Sequence, residues 1–462
     1  MSARTKLLAA TSVATLCITQ VIFWLLAFAS SGQPLLPSAK ANSSQLFSRQ
    51  SAATAQADTF QQFLPLIQQP SPPLTVSLSS DFGNMITEPD VVEQDFILAA
   101  ELGTEWMRVE LPWLRIEQSP GVYNWERYDA AFDRLRALNL KALVLVHSIP
   151  EWASDESCGP ITDWGAFEVF LNAAMDRYQD VGKAWEFINE PDGKAPNQLG
   201  PTIGCWAPYP DRYAEQLALF YALVKRRLPD ALVFFGGLAY DSWEFFDRDF
   251  LTNTLESGAG NYFDGISLHY YPINPQDFPT VSDKINEIRK TLEHYLFWNK
   301  RIWLTETSMW TNGPQGLAAQ KNYIVQEQTR AFCAKVDNIF WFAIRQEAPD
   351  PPLHRWLINL QHQPDQGYFT YKSYAEQVKE MACIGQMTGA PANVEGYRFN
   401  DQQGSTLYIV WSNLGAQEVS FIAAREVLVL DRDGANPQRI PATNGVATVN
   451  VDLQPQYVRI DP

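Results

Sequence analysis

The sequence predicts an α/β fold, a (β/α)₈ TIM barrel with a small C-terminal antiparallel β module and an N-terminal membrane-targeting segment. Three features of the 462-residue chain carry this prediction. From Leu74 onward, short apolar runs alternate with amphipathic stretches, which is typical of parallel strands joined by crossover helices. After Ala390, only strand-like runs separated by turn signals remain. A long uncharged segment follows two basic residues at the N-terminus.

Residues 1–29 have the pattern of a signal anchor or a signal peptide. Arg4 and Lys6 precede 23 uncharged residues, 7–29, which can cross a hydrocarbon core of about 30 Å as a helix. The basic end should stay in the cytoplasm, so we expect the rest of the chain to be extracellular or at the cell surface. Ala27-Phe28-Ala29 also fits a cleavage site, but the length of the run favours an uncleaved anchor. Residues 30–73, rich in Ser, Ala, Gln and Pro, are predicted to be a flexible linker.

Eight apolar runs and eight amphipathic stretches are the predicted strands and helices of one catalytic domain, residues 74–390. The alternative is an open doubly wound sheet, whose ligand site uses a glycine-rich phosphate turn, and neither GxGxxG nor GxxxxGK[ST] occurs. Eight strand–helix units therefore favour the barrel. The predicted strands are 74–79, 106–110, 142–147, 184–189, 232–236, 265–269, 302–306 and 338–342. The predicted helices are 90–102, 125–138, 164–178, 211–228, 247–257, 282–298, 318–333 and 371–381.

Residues 391–462 are predicted to form a separate module resembling a β-sandwich. Asp433-Gly434 and Asn444-Gly445 are turn signals of the kind that join antiparallel strands. The predicted strands are 406–411, 419–423, 426–430, 446–451 and 457–460.

The charge balance excludes one class of partner. The chain has 35 Lys and Arg against 52 Asp and Glu, a formal net charge of −17, and its longest basic cluster is Lys225-Arg226-Arg227. This pattern lacks the basic surface that nucleic-acid binding requires. We therefore expect no nucleic-acid partner.

The cysteines are compatible with disulfides in an exported protein. Cys17 lies in the apolar N-terminal run, and four cysteines remain outside it, which permits two disulfides in three connectivities. We favour pairing Cys158 with Cys205 and Cys333 with Cys383, because each pair falls in neighbouring units of the predicted barrel. None has the CxxC spacing of a zinc site, and no nucleotide motif is present, so neither a metal nor a cofactor is implied.

A glutamate ends each of two predicted strands on opposite sides of the barrel. The fourth strand runs into Asn189-Glu190-Pro191, and the seventh ends at Thr305-Glu306. Catalytic groups of such barrels lie at the C-terminal strand ends, so the two carboxylates can face one another across a bound sugar. One glutamate alone could simply be the polar residue where a strand meets solvent. Two at these positions favour cleavage of glycosidic bonds, with one carboxyl protonated and the other ionised.

These motifs resemble the two signature sites of the clan A retaining glycoside hydrolases, and the likeness extends over the whole predicted barrel. Within the clan, residues 121–125 and the closing strand 339–342 are most similar to glycoside hydrolase family 39 and its cellulase-like relatives. The resemblance implies that Glu190 is the acid/base, that Glu306 is the nucleophile and that Asn189 donates to the sugar 2-hydroxyl.

The resemblance also implies roles for three other polar side chains. Arg108 matches the second-strand arginine that keeps the nucleophile ionised, and His269 and Tyr271 match the sixth-strand HxY pattern. Other interpretations stay open. Arg108 could form a structural salt bridge with Glu110 or Glu101, His269 could be a core histidine, and Tyr271 could pack in a loop.

Further residues are expected to line the sugar site. His147 ends the third predicted strand and would face the same mouth. Trp341, on the closing strand, is interpreted as the stacking floor for the sugar rather than as barrel filling, because the resemblance places an aromatic residue there. Four loop tryptophans are weaker candidates for outer subsites, each better explained by packing: Trp152, Trp206, Trp243 and Trp310.

The sequence therefore predicts an exported retaining β-glycosidase that hydrolyses an oligo- or polysaccharide by double displacement. The expected partners are a carbohydrate substrate and, through the N-terminal segment only, a membrane. Two alternatives stay open: a non-catalytic glycan-binding barrel, and a transglycosylase that uses the same glycosyl-enzyme intermediate. The presence of both glutamates argues against the non-catalytic barrel. The long loop 191–210 could build either a closed pocket or a cleft, so exo and endo action are not distinguished.

Overall fold

The structure is a computed structural model, which describes residues 75–80 and 89–461 except 156–157, 195–203, 243, 273–277, 311–312 and 347–354. The predicted targeting segment, the predicted linker and Trp243 lie outside the described residues. Of the helices that are described, none combines the length and the apolar character needed to cross a membrane.

Eight parallel strands close into a barrel, as the sequence predicts. Each strand pairs with the next, and β1 pairs with β8 to close the sheet. Both ends of every strand lie within two residues of the prediction. The strands are β1 (Thr75–Ser80), β2 (Trp106–Pro112), β3 (Lys141–His147), β4 (Gly182–Phe187), β5 (Leu232–Leu238), β6 (Gly265–Tyr270), β7 (Arg301–Thr307) and β8 (Asn338–Phe342).

Helices separate the strands along the chain, and local sequence signals begin several of them. The Asp163 side chain accepts a hydrogen bond from the Ala166 amide, and Thr280 forms a capping box with Asp283. The described helices are α1 (Pro89–Glu101), α2 (Trp113–Ile116), α3 (Glu126–Ala137), α4 (Trp164–Tyr178), α5 (Pro210–Arg227), α6 (Phe250–Glu256), α7 (Val281–His294), α8 (Gly313–Cys333) and α9 (Gln366–Val378), with 3₁₀ turns at Glu151–Ala153 and Ala259–Asn261.

Alternation along the strands decides which side chains fill the barrel. Successive side chains of a strand point to opposite faces of the sheet. The inward side chains include one buried cluster, formed by Leu143, Ala184, Phe234, Trp303 and Phe340. Their strand neighbours, such as Val144 and Trp341, belong to the larger core between the sheet and the helices. By the same period, positions 108, 110, 186 and 342 face inward.

The chain after α9 forms the predicted antiparallel module, with a core of its own. One sheet has the order β14-β13-β16-β11-β10-β9, and β12 pairs with β15 in a second. Strand β9 precedes residue 391, so this sheet begins earlier in the chain than the predicted boundary. The strands are β9 (Ala382–Gln386), β10 (Val394–Asn400), β11 (Thr406–Ser412), β12 (Gln417–Ile422), β13 (Glu426–Leu430), β14 (Gln438–Pro441), β15 (Val446–Val451) and β16 (Gln456–Ile460).

Two disulfides form, and the favoured pairing is confirmed. Cys158–Cys205 joins the loop after β3 to the loop after β4, on the face where the predicted site lies. Cys333–Cys383 joins the end of α8 to β9. The second bridge therefore ties the barrel to the module, whereas the prediction placed it between two barrel units.

Candidate active site

The C-terminal ends of β4, β6 and β7, together with an inward position of β2, bring most of the predicted site residues together. Hydrogen bonds or close polar contacts connect six of them, which are Arg108, Asn189, Glu190, His269, Tyr271 and Glu306. Five of these side chains are buried, and Tyr271 is partly buried. The network therefore lies in the mouth of the barrel, largely screened from solvent.

Glu306 holds its carboxylate between two donors. Arg108 Nη1 lies 2.5 Å from Glu306 Oε1, and the Tyr271 hydroxyl donates to Oε2 at 2.6 Å. Burial alone would raise the pKa of Glu306. The nearby His269 ring and Arg108 guanidinium, together with the two hydrogen bonds, outweigh burial and hold that pKa below its usual value. The Glu306 carboxylate is therefore ionised at neutral pH.

Arg108 connects the C-terminal ends of β4 and β7. Its Nε and Nη2 donate to the two carboxylate oxygens of Glu186 at 2.8 and 3.1 Å, and Nη2 also donates to Asn189 Oδ1 at 2.7 Å. Burial would lower the pKa of Arg108, but the Glu186 and Glu306 carboxylates outweigh burial and raise it above its usual value. Asn189 therefore presents its side-chain oxygen to Arg108.

Glu186 is a member of the network that the sequence analysis missed. The open interpretation of Arg108 named Glu110 or Glu101 as its partner, whereas the hydrogen bonds go to Glu186 and Glu306. A signal was present in the sequence. Glu186 lies at an inward position of an apolar strand, where a buried carboxylate needs a cationic partner.

Glu190 faces Glu306 across the mouth. One oxygen of each carboxylate and a ring nitrogen of His269 all lie within 4.8 Å of one another. His269 Nδ1 is 3.0 Å from Glu190 Oε1, and Nε2 is 3.5 Å from Glu306 Oε1. The imidazole therefore lies between the two carboxylates, with a hydrogen bond to Glu190 and a longer polar contact to Glu306.

The turn that carries Glu190 has a strained backbone. Ile188 has a φ of 66° and Glu190 a φ of 45°, in the left-handed region that costs a non-glycine residue about 1–3 kcal/mol. Such a conformation persists only where the surroundings fix it. The Ile188 amide donates to the Val146 carbonyl at 2.9 Å, and the Glu190 amide donates to the Gly237 carbonyl at 2.8 Å. These bonds hold the turn that carries Asn189 and Glu190 at the mouth.

The buried carboxylate of Asp192 supports this turn from the side of β5. Asp192 accepts hydrogen bonds from the amides of Ala239 at 3.2 Å and Tyr240 at 2.7 Å. Burial raises the pKa of Asp192 to about 7. Burial also lowers the pKa of Lys284 to about 8, and the ammonium group of Lys284 donates to the Ala239 carbonyl. Through the hydrogen bonds of Asp192, the loop after β4 is held to the loop after β5.

His147 ends β3 and contacts a different carboxylate. Its Nε2 lies 3.6 Å from Glu110 Oε2, and its Nδ1 lies 3.0 Å from the Ser148 hydroxyl. Glu110 faces inward from β2, so the two side chains form one polar wall of the mouth. The sequence analysis predicted His147 but not Glu110, although the position of Glu110 two residues after Arg108 places both on the inward face.

Trp341 does not join the group at the mouth. Its side chain is 1% exposed, its indole N–H donates to the Arg355 carbonyl at 2.9 Å, and its ring packs against Tyr371 of α9. The next residue, Phe342, has the inward position, and its ring centroid lies 6.4 Å from that of Tyr271. The two-residue period of the strand therefore offers Phe342, rather than Trp341, to a ligand.

An aromatic rim with a cation lies beside Glu306. Trp310 is 47% exposed, and its ring centroid lies 6.2 Å from that of Tyr271. The Arg355 guanidinium lies 4.4 Å from the Phe342 ring centroid and 5.5 Å from that of Trp310. Flat aromatic faces of this kind can stack on a sugar ring.

Two other loop tryptophans pack inside the protein. Trp206 is fully buried and lies edge-on to Phe187 and Tyr213. Trp152 is half-buried and lies edge-on to Trp113. Packing, the interpretation that the sequence favoured for them, accounts for both.

The arrangement suits acid–base and nucleophilic chemistry. By distance, Glu190, His269 and Glu306 could also hold a cation. However, both oxygens of Glu306 already accept hydrogen bonds, one of them from the permanent positive charge of Arg108. We therefore interpret the site as two carboxylates that act on a bound substrate.

Residues 163–362 match the protein-family model described as glycosyl hydrolase catalytic core. The matched segment runs from β4 to β8 and includes both Glu190 and Glu306. This part of the barrel is therefore similar to a glycosyl hydrolase catalytic core. A curated relative, a phospho-cellobiase from Klebsiella oxytoca, is 32% identical over 109 residues, which are 21% of this chain. That match spans 23% of the relative's length.

Solved glycoside hydrolases of families 39 and 30 share the fold of this core, which confirms the resemblance to clan A that the sequence predicts. A family 39 enzyme from Bacteroides cellulosilyticus WH2 aligns with a TM-score of 0.68 and 18% identity, over 84% of this chain and 81% of its own. A family 39 β-xylosidase from Caulobacter crescentus aligns with a TM-score of 0.59 and 17% identity, over 86% and 98%. A family 30 endoxylanase from Clostridium papyrosolvens C71 aligns with a TM-score of 0.60 and 13% identity, over 86% and 98%.

Proposed function

We propose that the chain is an exported retaining β-glycosidase, which hydrolyses an oligo- or polysaccharide by double displacement. The observation that carries this proposal is the carboxylate pair Glu190 and Glu306, whose nearest ligand oxygens lie within 4.8 Å. Retaining enzymes hold their carboxyl groups about 5–5.5 Å apart, whereas inverting enzymes need about 6.5–9.5 Å to admit a water. The short separation supports direct attack by one carboxylate on the sugar.

In the first step, the Glu306 carboxylate attacks the anomeric carbon as the bond to the leaving oxygen breaks. Glu190, in its protonated form, gives its proton to that oxygen, and a covalent glycosyl-enzyme ester forms. The low pKa of Glu306, which His269, Arg108 and the Tyr271 hydroxyl maintain against burial, keeps the attacking group ionised. Phe342 lies at the position where the sugar would stack.

In the second step, Glu190 acts as the base. It takes a proton from a water that attacks the anomeric carbon from the side the leaving group vacated, and the ester bond to Glu306 breaks. Two inversions give net retention of configuration. Asn189, oriented by Arg108, is placed to donate its amide N–H to the sugar 2-hydroxyl.

The configuration of the first product tests this function. The structural neighbours include a β-xylosidase, an endoxylanase and a glucosidase from Croceicoccus marinus, and these names suggest aryl β-xylosides and aryl β-glucosides as probes. We expect proton NMR at early times to show the β-anomer, which then mutarotates. The α-anomer as first product would indicate an inverting enzyme. Products longer than the substrate would indicate a transglycosylase, and sugar binding without turnover would indicate a glycan-binding barrel.

Export is part of the proposal and rests on the N-terminal sequence. Arg4 and Lys6 precede the uncharged run 7–29, and the two disulfides are typical of an oxidising compartment. Fractionation of the producing cells followed by N-terminal sequencing is the test. A mature chain that begins near Ser30 would replace the anchor by a cleaved signal, and a cytoplasmic full-length chain would contradict export.

Tyr271→Phe is expected to move the acid limb of the pH profile to higher pH. The mutation removes a hydrogen bond that lowers the pKa of Glu306, so that pKa should rise and less of the nucleophile is ionised at a given acidic pH. A hydrogen bond to a charged group is worth about 1.5–3 kcal/mol, which corresponds to a shift of about one pH unit or more. The measurement is kcat/KM against pH.

Tyr323→Phe is the matched control for Tyr271→Phe. The Tyr323 hydroxyl lies 2.9 Å from the Thr307 hydroxyl on β7, so this change also removes one buried hydrogen bond next to the same strand. The acid limb of the pH profile of Tyr323→Phe should lie at the same pH as that of the wild type. Equal profiles for wild type and Tyr271→Phe would contradict the proposed support of Glu306.

A further inference from the structure

The strained turn that carries Glu190 is bordered by a second segment, residues 204–207, which runs beside residues 189–193. Three amides of this bordering segment donate to carbonyls of the turn. The hydrogen bonds join Gly204 to Asn189 at 2.8 Å, Trp206 to Pro191 at 3.1 Å and Ala207 to Gly193 at 3.1 Å. The backbone on both sides of Glu190 is therefore fixed by the bordering segment.

A disulfide fastens the middle of the bordering segment. Cys205 is bonded to Cys158 in the loop after β3, and its amide also donates to the Cys158 carbonyl at 3.0 Å. Both cysteines are buried. The bridge thus connects the Glu190 turn, through the bordering segment, to the loop after β3.

The packing between the turn and the bordering segment leaves no space for a methyl group. A Cβ at Gly204 would lie 2.9 Å from Ile188 Cγ2, 3.0 Å from the Asn189 carbonyl oxygen and 3.0 Å from Pro191 Cα. Two of these three contacts are with backbone atoms, which cannot rotate away. Movement of the bordering segment towards the turn must therefore displace the turn.

We propose that the Cys158–Cys205 disulfide is a positioning element for Glu190. The left-handed backbone at Ile188 and Glu190 persists only while its surroundings determine it, and the disulfide fixes the segment that does so on one side. Asp192 fixes the turn on the other side, through the amides of residues 239 and 240. This inference rests on the proposed role of Glu190 as the acid/base, and it extends that role to the bridge.

The test uses the full chain with Cys158→Ser and Cys205→Ser together. A misplaced acid costs most where the leaving group needs a proton, because general acid catalysis contributes about 10²–10⁴-fold in full. We expect kcat/KM for an alkyl or disaccharide substrate to fall about tenfold or more. For a dinitrophenyl glycoside, whose leaving group needs no proton, the fall should be less than about threefold.

The other disulfide provides the matched control. Cys333→Ser with Cys383→Ser also removes one bridge of similar loop length, 50 residues against 47, but between α8 and β9. A bridge that only stabilises the fold affects every substrate equally, so this control should keep the wild-type ratio between the two substrates. Equal losses on both substrates in the Cys158/Cys205 variant would overturn the proposal.

Gly204→Ala tests the same inference with the disulfide intact. Its methyl should displace the turn and produce the same selective loss, whereas Gly165→Ala, with a nearest contact of 3.5 Å, should not. Wild-type activity in Gly204→Ala would overturn the proposal.

Hydrogen exchange tests the inference without any substrate. The amides of residues 188–190, 192 and 193 should exchange at least several-fold faster in the Cys158/Cys205 variant and at the wild-type rate in the Cys333/Cys383 variant. Unchanged exchange in the first variant would overturn the positioning role. A wild-type chain that cleaves no glycoside would contradict the proposed function, and this measurement would still decide whether the bridge holds the turn.

Discussion

Glu306→Gln is expected to abolish turnover of every substrate, whatever its leaving group. The amide is a poor nucleophile, so the glycosyl-enzyme cannot form and the first step is lost. We expect a loss of roughly 10⁴-fold or more in kcat, the scale seen when a nucleophile is removed from a working catalytic group. The measurement is turnover of a dinitrophenyl glycoside and of a disaccharide by wild type and variant.

Glu327→Gln is a suitable control for the loss of a buried carboxylate. Glu327 is buried on α8 and accepts hydrogen bonds from Arg330 and from the Val281 amide, neither of which belongs to the group at the mouth. Its activity should stay near that of the wild type once the protein is shown to be folded. Full activity of Glu306→Gln would mean that Glu306 is not the nucleophile.

The barrel could be predicted from the sequence because its signal is local and repeated. Each strand is a short apolar run, and each run is followed by an amphipathic stretch, so eight independent segments indicate the same architecture. The C-terminal module was harder to predict from the sequence. Strand β9 has the pattern of intermediate and exposed residues of a partly covered edge, and its apolar signal is too weak to indicate a strand after the predicted helix 371–381.

The site residues at the strand ends could be predicted from the sequence, but the contacts between residues of different strands could not. Glu190 and Glu306 are visible because a polar residue follows an apolar run in each case. The partner of Arg108 was not visible, because Glu186 lies 78 positions away in the chain and meets Arg108 only when the barrel closes. Asp192 and its contact with the loop after β5 are hidden for the same reason.

Phe342 shows that strand alternation identifies a residue that the resemblance alone does not. The resemblance places an aromatic residue at the end of the closing strand, and Trp341 is interpreted as that residue. Phe340 belongs to the cluster inside the barrel, and the two-residue period then places Phe342 inside and Trp341 outside. Applied to this strand, alternation alone would have identified the residue at the mouth.

Glu190→Gln is expected to fail in a different way from Glu306→Gln. The nucleophile remains, so a dinitrophenyl glycoside should still form the glycosyl-enzyme with kcat/KM within about tenfold of the wild type, because its leaving group needs no proton. A substrate with a poor leaving group should lose about 10²–10⁴-fold. Hydrolysis of the intermediate becomes slow in both cases, because Glu190 is also the base that activates water.

Added azide separates the two roles within the same assay. Azide needs no base, so it should accelerate turnover of Glu190→Gln and give a glycosyl azide of retained, β configuration. Its attack on the glycosyl-enzyme inverts the anomeric carbon a second time, which is why retention is expected. Glu327→Gln removes a buried carboxylate that does not belong to the group at the mouth, so this control should show no such acceleration. If azide instead rescues Glu306→Gln, with a product of retained configuration, and leaves Glu190→Gln unchanged, then Glu190 is the nucleophile and the donors around Glu306 serve the acid.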